Sequence, residues 1–317
     1  MMTHEPTQQR PLLVIVGPTA GGKTALSVAL AKELGGACIS ADSMQIYQGM
    51  DIGTATPTVQ EQGGVDHHLL SFVSPQIPFS VDDWLKHAGK AINEVRAKGQ
   101  WPIVVGGTNL YVQALLFGMA DGPPPQPALR AELSTWTPEA LHQRLQELDP
   151  NAARRIHVND RRRTIRAIEI ASATGEPGSD QQHEWSGQCR DDAVVIGLHW
   201  ATEAVNRRIN ARVKWMMDAG LLDEVRQLHE KGLLGEQAAE AVGYKQLIEH
   251  LEGRCTLEEA IEQIKIKSRR LGKQQRTWLR RFQAIPLIRW LDANENKTQV
   301  LVKETLAYIH SLGIFSE

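Results

Sequence analysis

The stretch Leu12-Leu13-Val14-Ile15-Val16-Gly17-Pro18-Thr19-Ala20-Gly21-Gly22-Lys23-Thr24 decides the reading of this chain. Five consecutive aliphatic residues closed off by Gly-Pro have the length and character of a strand buried on both faces. The eight residues that follow match G-x-x-x-x-G-K-S/T at every position, and an Ala/Leu-rich segment of helical character continues to about Leu34. Strand, glycine-rich loop and helix in that order are the context in which the pattern has physical meaning. The glycines let successive backbone N–H groups turn inward as a nest, and the helix N-terminus adds partial positive charge. Lys23 contributes a point charge for a diphosphate, and Thr24 places a hydroxyl suited to Mg2+. A polyphosphate is the expected ligand. The loop does not say which one.

Outward from the loop, residues 38–41 read as a second strand ending at Asp42, and residues 81–98 as a helix. Residues 101–105 read as a third strand, ending in Gly106-Gly107-Thr108. This alternation predicts an α/β domain with a parallel sheet. The cluster Asp121-Gly122-Pro123-Pro124-Pro125-Gln126-Pro127 is the strongest breaker in the chain and marks a boundary or hinge. Helical segments follow at 138–148, 151–157 and 160–174, then a polar, turn-rich loop at 175–189 and a strand at 194–198. The expected architecture is a P-loop NTPase-like parallel-sheet core from residues 1–120 and 193–317. Residues 121–192 form a helical insertion domain. Val205, Ile209, Val213, Met216, Leu221, Val225 and Leu228 keep helical spacing. A last long helix is expected over 257–282, with Ile261, Ile264, Leu271, Trp278 and Phe282 on its apolar stripe.

Composition bounds the function. The chain has 317 residues, 42% hydrophobic and 23% charged, typical of a globular protein with one large or two modest domains. Leu12 to Val16 is far short of the ~20 apolar residues of a membrane-spanning helix, and the polar segment 1–10 lacks a signal-type apolar core. Cys38, Cys189 and Cys255 are scattered and odd in number, which fits the reducing cytoplasm rather than a disulfide framework. The net charge of -2 conceals its distribution. Residues 1–125 hold seven basic and ten acidic residues, whereas 263–289 hold nine basic residues and no acid. Arg154, Arg155, Arg161, Arg162, Arg163 and Arg166 form a second basic cluster. Local patches of this kind, rather than net charge, attract a phosphate backbone.

An aspartate at the C-terminal end of a parallel strand faces the ligand crevice of such a sheet. From spacing alone Asp42 reads equally as metal ligand, general base or helix cap. The acid that usually ends a strand beside a nucleotide-hydrolysing loop is replaced by Gly106-Gly107-Thr108. His67-His68 read as structural histidines, with no third ligand nearby in sequence. Asp82-Asp83 read as helix-capping acids. A small-molecule or nucleoside kinase with ATP in the loop and a non-enzymatic RNA-binding regulator are the competing readings.

The loop, Asp42-Ser-Met-Gln-Ile-Tyr47, Asp51-Ile-Gly-Thr-Ala55 and His67-His68-Leu69 together resemble the tRNA dimethylallyltransferase (isopentenyltransferase) family. The resemblance continues through Gly106 to Tyr111, Asn159-Asp160, Arg163 to Glu169, Arg208-Ile209, Arg212-Val213, Gly220-Leu221, Gly243-Tyr244-Lys245 and Lys273 to Arg280. It implies prenyl transfer from dimethylallyl diphosphate to the adenosine beside the tRNA anticodon, with Mg2+, in a cytoplasmic monomer. Gly17, Pro18, Thr19, Ala20, Gly21, Gly22, Lys23 and Thr24 would hold the diphosphate. Asp42 would be the base, with Thr108, Arg212 and Lys23 assisting at the reacting centre. The tRNA contacts it implies are Asp42, Ser43, Met44, Gln45, Thr108, Arg130, Arg162, Arg163, Thr164, Ile165 and Arg166. They continue with Ala241, Val242, Gly243, Tyr244, Lys245 and Gln246, then Lys273, Gln274, Gln275, Arg276, Thr277, Trp278, Leu279 and Arg280. Trp278 is also read as a packing residue. The chain departs from the family pattern at Gly21, Thr56, Asp66, Val158 and Gln274, none of which is a proposed catalytic group. No Cys/His finger of the kind some eukaryotic relatives carry follows the last helix, so a bacterial type is expected.

Overall fold

A computed structural model describes residues 10–119, 122–178, 189–294 and 296–313. Expectations for residues 1–9 and 121, and for 179–188 of the polar loop, lie outside the described residues. The chain forms two compact units, one running to Leu116 and resuming at Arg190, the other spanning Phe117–Cys189. The division falls a few residues before the breaker cluster, at the C-terminal end of the helix Asn109–Phe117.

The first unit is built on β1 (Leu12–Val16), α1 (Lys23–Leu34), β2 (Gly36–Ser40), α2 (Val59–Gln62), β3 (His67–His68), α3 (Val81–Ala97), β4 (Trp101–Gly106) and α4 (Asn109–Phe117). All five residues of β1 are completely buried, as an uninterrupted aliphatic run in a parallel sheet must be. α3 starts with a capping box in which Ser80 and Asp83 exchange hydrogen bonds, and Asp82 pairs with Lys86 at 2.7 Å. Asp83 is thus a capping acid, as anticipated, while Asp82 instead forms an ion pair one turn on. The Trp84 indole donates to the Ser40 carbonyl at 2.9 Å and its ring stacks on Tyr111, tying α3 to β2 and α4.

In the second unit, α5 (Pro127–Ser134), α6 (Pro138–Leu148), α7 (Pro150–Arg155) and α8 (Arg161–Thr174) enclose a small core of Leu133, Leu141, Leu145, Ala152, Ala153, Ala167 and Ile168. Glu169 is fully buried there. Burial pushes its carboxyl pKa up, but the Arg130 guanidinium, the Gln126 N–H and Arg166 outweigh that and hold it below its ordinary value. Arg130 makes two contacts of 2.7 Å with the carboxylate.

The first unit resumes with β5 (Ala193–His199), α9 (Thr202–Asp218), α10 (Leu221–Glu230), α11 (Glu236–Ala239), α12 (Tyr244–Leu251), α13 (Leu257–Leu279), a 3-10 turn (Arg280–Ala284), β6 (Ile288–Asp292) and α14 (Thr298–Ser311). The sheet order is β3-β2-β4-β1-β5-β6, every pairing parallel. The strands β3 and β6 have no strong apolar run and are edge additions that periodicity does not reveal. α13 departs from its expected stripe. Its buried positions are Ala260, Ile264, Gly272, Gln275 and Leu279, while Leu271 is exposed. The reason is close packing on α9, where a Cβ at Gly272 would lie 3.1 Å from Ile209 Cδ1. Small residues, not the largest apolar ones, form that contact.

The Glu169 cluster gives a stability test. Removing Arg130 strands a buried carboxylate, which costs roughly 3–5 kcal/mol for a fully buried pair. Because Arg130 is itself half-exposed and Arg166 remains 3.5 Å from the carboxylate, Arg130→Ala is expected to cost roughly 2–3 kcal/mol. Hydrogen exchange at α8 amides should report it, and unchanged protection would contradict the assignment.

Candidate active site

Three strand ends meet at the C-terminal edge of the sheet, because β1 lies beside β4 and β4 beside β2. The loop after β1 turns through Ala20 and Gly22, both with positive φ (57° and 84°). The Gly21 N–H donates back to the Pro18 carbonyl at 3.1 Å, and the Trp200 indole donates to the Gly21 carbonyl at 3.1 Å. Arg208, stacked over Trp200, donates to the Ala20 carbonyl at 2.7 Å. The first-turn N–H groups of α1 have no acceptor within their own helix. An anion is their natural partner.

Lys23 extends under this loop, donating to the carbonyls of Gly17 (3.0 Å) and Pro18 (2.9 Å). Desolvation lowers its pKa to about 8, with Asp42 opposing and Arg212 reinforcing the shift. The Arg212 guanidinium, pulled down by burial, reaches the Thr19 hydroxyl at 3.5 Å. Thr24 sits half-buried in the first turn of α1.

The ends of β2 and β4 are pressed together. A Cβ at Gly106 would lie 2.1 Å from the Ala41 carbonyl oxygen, so only glycine fits. The Thr108 N–H donates to that carbonyl at 3.1 Å. Thr108 Oγ1 accepts from the Ser43 N–H at 2.9 Å and contacts Ser43 Oγ at 3.2 Å. Asp42 Oδ1 accepts from the Met44 N–H at 2.9 Å. Thr108 is therefore hydrogen-bonded to the turn that carries Asp42, bringing the two strand ends together as their positions imply. Cys38, within β2, is pushed up to about 11 by burial and is no nucleophile at neutral pH.

A cavity of about 290 Å³ opens here. Its polar lining residues are Thr19, Asp42, Ser43, Thr54, Arg212, Glu240 and Ser268, and its larger apolar ones include Ile209, Val213, Met216, Leu221, Ile264 and Leu271. Met44 and the turn Ala241-Val242-Gly243 also line it. A larger cavity in the second unit contains none of these groups.

The remaining candidates separate into exposed and internal residues. Lys273, Gln274, Thr277 and Arg280 are exposed on α13 and the turn after it, and Arg162 and Arg163 are exposed on α8. Others are committed inside their units. Gln45 accepts from the Ser40 hydroxyl and donates to the carbonyls of Thr54 and Ala55. Gln275 is buried between two loops, and Leu279 is buried with it on α13. Trp278 is half-buried and donates to Gln113 at 2.7 Å, the packing role anticipated. Arg276 is half-buried, its Nη1 without a hydrogen-bond partner among the described residues and its Nη2 3.5 Å from Thr202. Tyr244 and Gln246 are buried, and Lys245 pairs with Glu240 at 2.8 Å. Thr164 is buried and Ile165 packs on the second unit's core, whereas Arg130 pairs with Glu169 from an exposed position and Arg166 from a half-buried one.

One important residue was not suggested by any sequence signal. The Glu224 carboxylate accepts the N–H groups of Asp51 (3.0 Å), Ile52 (2.7 Å) and Gly53 (3.1 Å), and a short hydrogen bond from the Tyr244 hydroxyl. Burial and the Glu224 charge push the Tyr244 pKa upward. A Cβ at Gly53 would meet the Tyr244 ring at 2.4 Å. The segment 51–54 is thereby clamped beside the cavity. In sequence, Glu224 is merely one of two acids in the first turn of α10.

A phosphate loop opening onto an all-parallel sheet, with an acid two strands away and a cavity lined by both polar and apolar side chains, is the arrangement of a P-loop NTPase-like fold. The chain matches the family model described as IPP transferase over residues 45–282, and that described as isopentenyl transferase over residues 11–71. It is 44% identical over 309 residues to a tRNA dimethylallyltransferase of Shouchella clausii, covering 96% of this chain and 97% of the relative. The corresponding enzyme of Geobacillus kaustophilus is 46% identical over 287 residues, covering 89% and 90%. Among solved structures, the tRNA isopentenylpyrophosphate transferase of Bacillus halodurans superposes with a TM-score of 0.71 at 40% identity, covering 96% of each chain. A eukaryotic dimethylallyltransferase acting on tRNA superposes with a TM-score of 0.81 at 28% identity, covering 95% of this chain and 79% of that one. The chain belongs to the IPP transferase family.

Lys23 supplies a pH test. A bound anion favours its charged form, so above pH 8 binding must take up a proton and affinity falls as pH rises. The ratio of wild-type to Lys23→Met affinity for inorganic diphosphate is expected to drop by up to about tenfold per pH unit above 8. Calorimetry between pH 7 and 9.5 checks it; a constant ratio would contradict the lowered pKa.

Proposed function

We propose that this protein transfers a dimethylallyl group from dimethylallyl diphosphate to the N6 amine of the adenosine immediately 3′ of the tRNA anticodon. The products are N6-isopentenyladenosine and diphosphate. One observation carries the reading. Thr19, Asp42 and Arg212 share a cavity with an apolar wall, a combination suited to a charged head and a five-carbon tail.

An allylic diphosphate ionises readily, so the catalyst's task is to stabilise the departing charge. In this proposal the loop amides, Lys23 and Arg212 do that. The carbon–oxygen bond to the diphosphate breaks, the carbon–nitrogen bond to N6 forms, and Asp42 takes the amine proton. Thr108 positions the Asp42–Ser43 turn. Mg2+ fits the donor set, since it takes few protein oxygens beside substrate phosphates, and Thr24 would supply one. When bound it neutralises charge on the diphosphate. The adenine must leave its stack to reach a recessed carboxylate. Lys273, Arg280, Arg162 and Arg163 are exposed to meet the RNA backbone. One chain carries every group invoked, so a monomer suffices for the reaction, and a tRNA substrate supports the cytoplasm. Among the described residues, no helix is long and apolar enough to cross a membrane. A kinase is disfavoured because β4, next to the loop strand, ends in Gly106-Gly107 and not in an acid.

Asp42→Asn keeps shape and hydrogen-bonding reach but cannot accept the proton. Its single-turnover rate is expected to fall by roughly 10²- to 10⁴-fold, with donor and tRNA affinities little changed. Lys23→Ala should weaken donor binding as well as rate, because its charge acts before and during ionisation. A near-normal Asp42→Asn rate at saturation would refute the base, and rescue by added Mg2+ would make Asp42 a metal ligand.

Salt tests the RNA surface separately. Each phosphate neutralised adds roughly 0.7 to 0.9 to the log–log salt slope of tRNA affinity. Lys273→Ala and Arg280→Ala are each expected to reduce that slope by about one phosphate's share without altering donor affinity. An unchanged slope in both would remove α13 from the RNA interface.

A further inference from the structure

Gln275 is a buried amide on a helix whose neighbouring residues are exposed and basic. Its Oε1 accepts from the Thr19 N–H at 2.8 Å, inside the phosphate loop. Its Nε2 donates to the Gly107 carbonyl at 3.0 Å, at the end of β4. Its own carbonyl accepts from the Asn109 amide at 3.1 Å. The fit is tight, since a Cβ at Gly107 would lie 2.6 Å from Gln275 Nε2 and 3.6 Å from Lys23 Nζ. Two residues earlier Lys273 is exposed, and one turn later so is Arg280.

Both ends of one carboxamide are thus used to join the phosphate loop to the end of the adjacent strand, from a residue on α13. A buried amide that loses either partner pays a desolvation penalty, so α13 and the loop hold one another in register. We propose that Gln275 is a positioning residue that couples tRNA binding on the exposed face of α13 to diphosphate binding in the loop. The proposal rests on the tRNA prenyl-transfer reading, which supplies the two ligands. RNA that fixes α13 also fixes the Thr19 amide and, through Gly107, the surroundings of Lys23. Linkage makes the effect reciprocal, so diphosphate tightens tRNA binding by the same factor.

The test is the affinity of full-length protein for inorganic diphosphate with Mg2+, measured by calorimetry with and without saturating unmodified tRNA. Wild-type protein is expected to bind diphosphate about 5- to 100-fold more tightly when tRNA is present. Gln275→Met, of similar volume but without the amide, should lose roughly 5- to 50-fold in diphosphate affinity in the free protein. Its coupling factor should fall to within about twofold of unity while its tRNA affinity alone is retained. Gln275→Asn keeps polarity but is one methylene too short to span both partners, and should show the same loss of coupling if the methionine variant does not fold. A merely structural role would lower thermal stability without touching the ratio of the two affinities. Wild-type protein that binds no diphosphate would overturn the loop assignment and this proposal together. Wild-type binding that tRNA does not alter, or variants that keep the wild-type coupling, would overturn the coupling alone.

Discussion

The close approach of β2 and β4 at their C-terminal ends is the constraint on which the site depends. Gly106 lies so near the Ala41 backbone that no side chain can intervene. That contact brings Thr108, just beyond β4, into hydrogen-bonding contact with Ala41 and Ser43, the two residues on either side of Asp42. It exists only because both strands are part of a fully parallel sheet whose central strand, β1, is buried along its whole length. The hydrophobic effect therefore fixes the strands, and the strands aim the polar groups. A glycine that looks like mere punctuation in the chain is a steric requirement of the fold.

The phosphate loop, the strand preceding it, the helix following it and the crevice position of Asp42 were legible because each is a local pattern. Gln275, Gln45 and Glu224 were not. Each is a wholly or partly buried polar side chain that bonds backbone groups of another segment, 9 and 10 residues on for Gln45, 171 to 173 residues away for Glu224 and 256 for the Gln275–Thr19 contact. Periodicity reports that a residue faces inward or outward, but not which backbone group it will meet. The reading of α13 failed for a related reason. Counting large apolar residues placed Leu271 inside, whereas Gly272 lies at the close contact with α9. Arg130 has a structural tie that periodicity did not show either, since its exposed guanidinium also pairs with the buried carboxylate of Glu169.

The division of labour along α13 follows from these contacts. Its exposed residues carry charge outward, while Gln275 and Leu279 turn inward. A similar division occurs at Ala241 to Gln246, where the turn reaches the cavity and Tyr244 and Gln246 anchor it from behind. Charge at the surface can change the strength and salt dependence of RNA binding with little cost to the fold. The inward amides and carboxylates have no such freedom, since an unmatched buried polar group is destabilising. An acidic whole-chain balance is compatible with RNA binding for this reason. Only the local distribution enters.

The most direct measurement offers the protein both candidate donors at once. Full-length protein is incubated with unmodified tRNA, Mg2+, dimethylallyl diphosphate labelled in its carbon tail and ATP labelled in its γ-phosphate, and the label in the recovered products is counted. Carbon label in the tRNA at the adenosine 3′ of the anticodon, with the γ-phosphate left on ATP, is the predicted result. Transfer of the γ-phosphate to an acceptor, with no carbon label reaching tRNA, would contradict prenyl transfer.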